Sequence, residues 1–116
     1  MKGEDLQQAL FFDWVKWNMR ANPLLDAVYA IPNGARTSIR TAVKLKRTGL
    51  RKGVMDIHFP YPSKGYIGLW IEMKIKGGKL TPEQKLWGSM MHGFGHCVRV
   101  AYNGLEAIEI LKGYIE

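Results

Sequence analysis

The chain predicts an α/β fold: a mixed central sheet with helices on both faces. Three observations carry that expectation. Segments with apolar residues at helical spacing alternate with short runs rich in Val, Ile, Tyr and Trp. Pro, Gly and Asn punctuate the boundaries between them. Two strand-like runs, Gly53-Val54-Met55-Asp56 and Leu69-Trp70-Ile71-Glu72-Met73-Lys74-Ile75, stand next to each other around a turn-rich gap, with helical segments on either side. The order reads helix, strand, helix, strand, strand, helix, strand, helix.

The first helix is expected from Glu4 to about Arg20. Leu6, Leu10, Phe11, Trp14, Val15 and Trp17 recur near helical spacing as a core-facing stripe, with Asp5, Gln8, Lys16 and Arg20 interleaved. Leu25 to Ile31 contains Val, Tyr and Ile and stops at Pro32-Asn33-Gly34, the pattern of a strand running into a tight loop. A second helix from Arg36 to about Arg47 would bury Ile39, Ala42, Val43 and Leu45 unevenly and leave Arg36, Arg40, Lys44, Lys46 and Arg47 to solvent or a phosphate backbone. Gly49 stops it. Pro60, Pro62, Ser63 and Gly65 occupy the connection of the strand pair. Thr81-Pro82-Glu83-Gln84 then opens a third helix, with Thr81 at the N-cap, Pro82 in the first turn and Gln84 closing a capping box. Gly93 and Gly95 end that helix, His96 to Tyr102 reads as the last strand, and Asn103 caps a short final helix.

The 116 residues fit one domain, 1–116, able to bury a core without disulfide or metal staples. Seventeen Lys and Arg against ten Asp and Glu leave a net charge of +7, which favours polyanionic partners, nucleic acid first. The single cysteine, Cys97, excludes an intrachain disulfide and any multi-Cys zinc cluster within the chain, in keeping with a reducing compartment. Glu4 and Asp5 stand where a secretory signal needs positive charge, and no apolar run approaches a membrane span. An intracellular, cytoplasmic protein with no membrane partner is expected, a viral protein at work in its host cell included.

Side chains alternate along a strand, so Glu72 and Lys74 share one face while Ile71, Met73 and Ile75 share the other. That pattern predicts a buried apolar face and a presented charged one. Two carboxylates, Asp56 and Glu72, with Lys74 close by are the groups needed to hold a divalent cation and to place a water beside it. The same three residues also describe a cross-strand ion-pair surface, and from spacing alone the two readings weigh equally. His58 shares the face of Asp56 but reads better as a surface or strand-pairing histidine than as a ligand. His92 and His96 have the spacing of helical zinc ligands, yet Gly93 and Gly95 break the helix between them and no further ligand is evident. Lys76-Gly77-Gly78-Lys79 reads first as a flexible turn, whose lysines are candidate DNA contacts.

Glu4, Ile31-Pro32-Asn33-Gly34, Gly53-Val54-Met55-Asp56, Ile71-Glu72-Met73-Lys74 and Thr81-Pro82-Glu83-Gln84-Lys85 occur in that order across nearly the whole chain. This series resembles the virus-type replication-repair nuclease (VRR-NUC) family of the PD-(D/E)XK nuclease superfamily, with Met55 where the superfamily pattern has proline. The resemblance implies a restriction-endonuclease-like core and metal-dependent cleavage of DNA. By it, Asp56 and Glu72 would ligate Mg²⁺ or Mn²⁺ with the Met73 carbonyl, Lys74 would orient or activate the attacking water, and Glu4 and Gln84 would complete the catalytic set. A capping role for Gln84 and a helix-dipole role for Glu4 stand beside those assignments. Asn33, Arg36, Arg40, Lys44, Lys76 and Lys79 are the candidate DNA contacts. The expected substrate is branched DNA, four-way (Holliday) junctions first, cut by a homodimer that supplies two opposed sites, with no organic cofactor. A flap-type or nicking nuclease of replication and repair is the alternative, followed by a non-catalytic DNA-binding module.

Overall fold

The computed structural model describes residues 1–32 and 38–116. In chain order these form α1 (Gly3–Asn18), a 3₁₀ turn (Pro23–Ala27), β1 (Tyr29–Ala30), α2 (Ile39–Arg47), β2 (Ile57–Phe59), β3 (Leu69–Met73), α3 (Pro82–Gly93), β4 (Cys97–Ala101) and α4 (Gly104–Ile115). The strands pair in the order β1-β2-β3-β4, antiparallel across the first two pairs and parallel across the third. The parallel pair requires a crossover, which α3 supplies. The expected mixed α/β architecture is therefore the observed one.

Alternation along β3 distributes its side chains between two packing layers. Leu69, Ile71 and Met73 join Phe11 and Val15 of α1 and Ala107 and Leu111 of α4 in the main core. Trp70 projects to the other face, where it packs with Met55 and with Met91 of α3. Glu72 has the parity of Trp70 and so lies on the α3 side. Helices cover both faces, so every residue of β3 is buried. The expectation of a presented charged face is thereby overturned: Glu72 is 2% exposed and Lys74 8% exposed.

Local chemistry fixes the helix ends. The Thr81 hydroxyl accepts the Gln84 backbone N–H at 3.1 Å and the Gln84 side-chain oxygen accepts the Thr81 N–H at 2.9 Å, the full capping box. Asn103 caps α4 by accepting from the Glu106 N–H at 2.7 Å.

Four element boundaries depart from the sequence expectations. Asn22 caps a 3₁₀ turn with Pro23 at its start, so the stretch expected as a strand over Leu25–Ile31 is strand only at Tyr29–Ala30. On α1 only Phe11 and Val15 are fully buried, because at about 100° per residue Leu6, Leu10 and Trp17 fall on the flank turned away from the sheet. The second helix begins at Ile39 behind its Ser38 cap, and none of its residues is buried, in contrast to the expected burial of Ile39, Ala42, Val43 and Leu45. The expected start at Arg36 lies outside the described residues. Finally, Gly53-Val54-Met55-Asp56 leads into β2 rather than belonging to it, since Gly53 has φ +91° and the ladder begins at Ile57. Among the described residues, no helix is long and apolar enough to cross a membrane.

Candidate active site

Antiparallel pairing of β2 with β3 sets Ile57 opposite Ile71, which carries Asp56, one residue ahead of the ladder, toward the end of β3. There the Met73 N–H donates to Asp56 Oδ2 at 2.9 Å. In an extended strand a residue's N–H and C=O project to the same side, so the Met73 carbonyl also faces Asp56. Glu72 projects from β3 toward the N-terminus of α3. Its Oε2 accepts from Gln84 Nε2 at 2.9 Å and lies 3.4 Å from Lys74 Nζ. Because the Gln84 carbonyl oxygen is engaged in the capping box, its amide group is oriented with the N–H₂ toward the carboxylate. Capping and site-building thus coexist in one side chain.

Glu72 Oε1 is buried and accepts from no protein N–H or hydroxyl; the group it shares a proton with is the Asp56 carboxyl. Burial, and then the neighbouring Asp56 carboxylate, push the Glu72 pKa from 4.5 up to about 8 against the opposing pull of Lys74. Two carboxyl groups held together in a low-dielectric pocket cannot both ionise cheaply, so one keeps its proton unless a cation takes that proton's place. Among the described residues, no group of three or more His, Cys, Asp and Glu side chains gathers to hold a metal ion. The donors available are a carboxylate pair, a backbone carbonyl and water. That all-oxygen set fits Mg²⁺ or Mn²⁺, which keep several waters, and not zinc.

These groups open onto a cavity of about 600 Å³, with Glu4, Asp56, Glu72, Lys74, Thr81 and Gln84 among its lining. The rest of the lining is cationic and apolar, built from Ala42 and Lys46 of α2 and from Leu50, Arg51, Lys52, Gly53 and Val54 of the following loop. Gly53 holds that loop against α3: a Cβ there would lie 2.6 Å from backbone and side-chain carbon atoms of Glu83, and its φ of +91° suits glycine. Lys52 reaches Glu83 at 3.5 Å, and the Arg51 guanidinium lies 5.2 Å from the Trp87 ring centroid.

All five residues expected to form the catalytic set, Glu4, Asp56, Glu72, Lys74 and Gln84, line this one cavity. The expected DNA contacts are more dispersed. Arg40 and Lys44 lie on α2 but off the cavity wall, and Lys76 and Lys79 are exposed on the turn after β3. Asn33 and Arg36 lie outside the described residues. Arg51 and Lys52 were not singled out from the sequence. Their signal is a basic pair directly ahead of the glycine turn that leads to Asp56. His58 stacks on Trp70 with ring centroids 4.0 Å apart and shares a 2.6 Å hydrogen bond with the Tyr29 hydroxyl, the strand-pairing role expected for it.

A solved structure described as a VRR_NUC domain protein superposes with a TM-score of 0.81 and 28% identity over 99% of this chain and 89% of that one. The likeness defines the class, an α/β domain of restriction-endonuclease-like build. The VRR-NUC domain family model matches residues 2–103, and the chain belongs to that family of nuclease-type DNA-processing domains. No curated protein sequence matches it.

Proposed function

We propose that the cavity is the active site of a Mg²⁺- or Mn²⁺-dependent endodeoxyribonuclease that prefers branched DNA, four-way junctions first, and works as an intracellular homodimer. One observation carries the reading. The buried Glu72 carboxyl, with Asp56 against it, faces a cavity whose lining also holds Lys46, Arg51 and Lys52. A site for a cation and a wall for phosphates meet across one space.

Asp56, Glu72 and the Met73 carbonyl would hold the cation. The chemistry a bound divalent cation supplies is polarisation of a phosphoryl oxygen and stabilisation of charge on the leaving oxygen. Lys74, buried and 3.4 Å from Glu72 Oε2, orients the attacking water and adds positive charge. Gln84 holds Glu72 Oε2 and so fixes the direction in which Oε1 is offered. Glu4, from the first turn of α1, meets the same space from the side. A dimer is supported by the symmetry of the task, since one such chain offers one site and a junction needs two opposed cuts.

Plasmid nicking with and without Mg²⁺ tests the chemistry, and a mobile four-way junction beside matched flap and duplex substrates tests the selectivity. Metal-dependent nicking with preferred junction cleavage is expected, with a dimer in light scattering. A monomer that cuts flaps and spares the junction would replace the resolvase reading with a flap nuclease. Tight binding without nicking under either metal would leave a DNA-binding module.

A further inference from the structure

Helix α2 buries none of its side chains, yet it carries an apolar stripe: Ile39 is 84% exposed and Val43 62% exposed. At about 100° per residue, Ala42 and Lys46 form the row that meets the cavity, Ile39 and Val43 lie beside it, and Arg47, Arg40 and Lys44 form the next row around. Cation, aliphatic stripe and cations therefore follow one another across the helix. No acidic residue occurs between Ile39 and Arg47. The two exposed β-branched residues thus lie between Lys46 on one side and three cations on the other, next to the row that lines the cavity.

We infer that α2 is a strand-separating surface, on which Ile39 and Val43 press against unpaired bases at a branch while Lys46 on one side and Arg40, Lys44 and Arg47 on the other hold the phosphates of the two diverging strands. The inference rests on the nuclease reading for its ligand and supplies what that reading lacks, a physical source of branch selectivity. Apolar side chains next to cations are the combination by which proteins unstack and hold bases apart, since the bases need a dry surface and the backbones need charge. The nucleic-acid occupant is favoured by charge: Lys46 stands on one side of the stripe and Arg40, Lys44 and Arg47 on the other, and Lys46 belongs to the cavity that holds the carboxyl pair.

The test uses the full chain with Ile39→Ser and Val43→Ser combined, positions where no core packing is lost. Equilibrium binding is measured by anisotropy in EDTA, so that nothing is cut, against a splayed-arm DNA and its fully paired counterpart. The double variant is expected to lose about tenfold in affinity for the splayed arm and to keep its duplex affinity and melting temperature. Ile39→Leu with Val43→Leu should keep the preference. Lys46→Ala and Arg40→Ala should weaken both substrates and each lower the magnitude of the log-affinity versus log-salt slope by about 0.9 on duplex. A wild-type protein with no splayed-arm preference, or a double variant that loses both substrates equally, overturns the inference. So does a preserved preference accompanied by loss of dimer in light scattering or loss of binding to vesicles containing phosphatidylserine, which would give the stripe to a second copy or to a membrane. Plasmid nicking by the wild type is scored separately. Nicking without branch preference overturns the role of α2 alone, whereas branch preference without nicking supports it and overturns the nuclease reading.

Discussion

Replacing Glu72 by Gln should make the metal-free protein more stable, by an amount that grows with pH. In the folded state Glu72 binds its proton up to about pH 8, whereas in the unfolded chain it releases it near 4.5. Between those values the unfolded state holds fewer protons than the native state, so wild-type stability falls as pH rises through this window. The slope is about 1.4 kcal/mol per pH unit, which amounts to about 3 kcal/mol at pH 7. Gln is the neutral isostere and carries no such penalty. Glu72→Gln and wild type should therefore melt together near pH 4 in EDTA and separate steadily above it, by about 10 °C at pH 7 for a chain of this size. Thermal unfolding followed by circular dichroism from pH 4 to pH 8.5 measures the gap. Mg²⁺ should then raise the melting temperature of wild type at pH 8 by more than that of Glu72→Gln, which keeps Asp56 as its one charged donor in the pair. Parallel curves across the whole range, or a variant that melts below wild type at pH 7, would refute the account of Glu72 as a buried, proton-holding carboxylate.

Three further outcomes follow from the same geometry. Asp56→Asn and Lys74→Ala should each lower plasmid nicking by about 10²–10⁴-fold while anisotropy shows DNA binding retained; near-normal rates in folded variants would remove those residues from the site. Gly53→Ala should cost about 2–4 kcal/mol in urea unfolding, because the new Cβ meets Glu83 backbone at 2.6 Å and φ is +91°, whereas Gly88→Ala, which meets the movable end of Met55 at 3.0 Å, should stay within about 1 kcal/mol of wild type. Gln84→Glu keeps a capping-box residue but sets a third carboxylate against Glu72, so in EDTA its melting temperature should lie near wild type at pH 5 and clearly below it at pH 8; a uniform loss across pH would mark Gln84 as a cap alone.

The parts of this molecule that were legible in the sequence are those governed by short-range chemistry. Thr81-Pro82-Glu83-Gln84 specifies a helix start because the four residues satisfy each other's backbone groups, and the structure shows that capping box complete. The strand over Leu69–Met73 and the alternation that puts Glu72 and Lys74 on one face were equally local, whereas the partner strand expected at Gly53–Asp56 forms just after it, at Ile57–Phe59. What alternation could not convey is whether that face meets water. Its burial depends on α3 settling closely on the sheet, with Gly88 near enough that a Cβ would lie 3.0 Å from Met55 and 3.3 Å from Val98. Helical periodicity had the same blindness. An identical apolar signal led to burial at Phe11 and Val15 on α1 and to open exposure at Ile39 and Val43 on α2, because periodicity marks a face that wants a partner without saying whether the partner lies in the chain. The Arg51-Lys52 pair reaches the cavity only because Gly53 turns the loop there, a tertiary fact.

Glu72 is the place where local rules conflict most. A carboxylate at a strand position buried on both sides costs several kcal/mol unless it is neutralised, paired or coordinated. The surrounding residues do each of these in part. Gln84 and Lys74 engage one oxygen, and the other keeps a raised proton affinity with Asp56 close by. Had the fold needed only a stable strand, a valine at this position would have packed against α3 at no electrostatic cost. A sheet that keeps an acid here, and arranges a lysine, an amide and a second acid around it, holds a group that must either keep a proton or exchange it for a cation. The exchange of that proton for a cation, between two carboxyl groups at one end of β3, is thus the strongest argument for where the chemistry of this fold occurs.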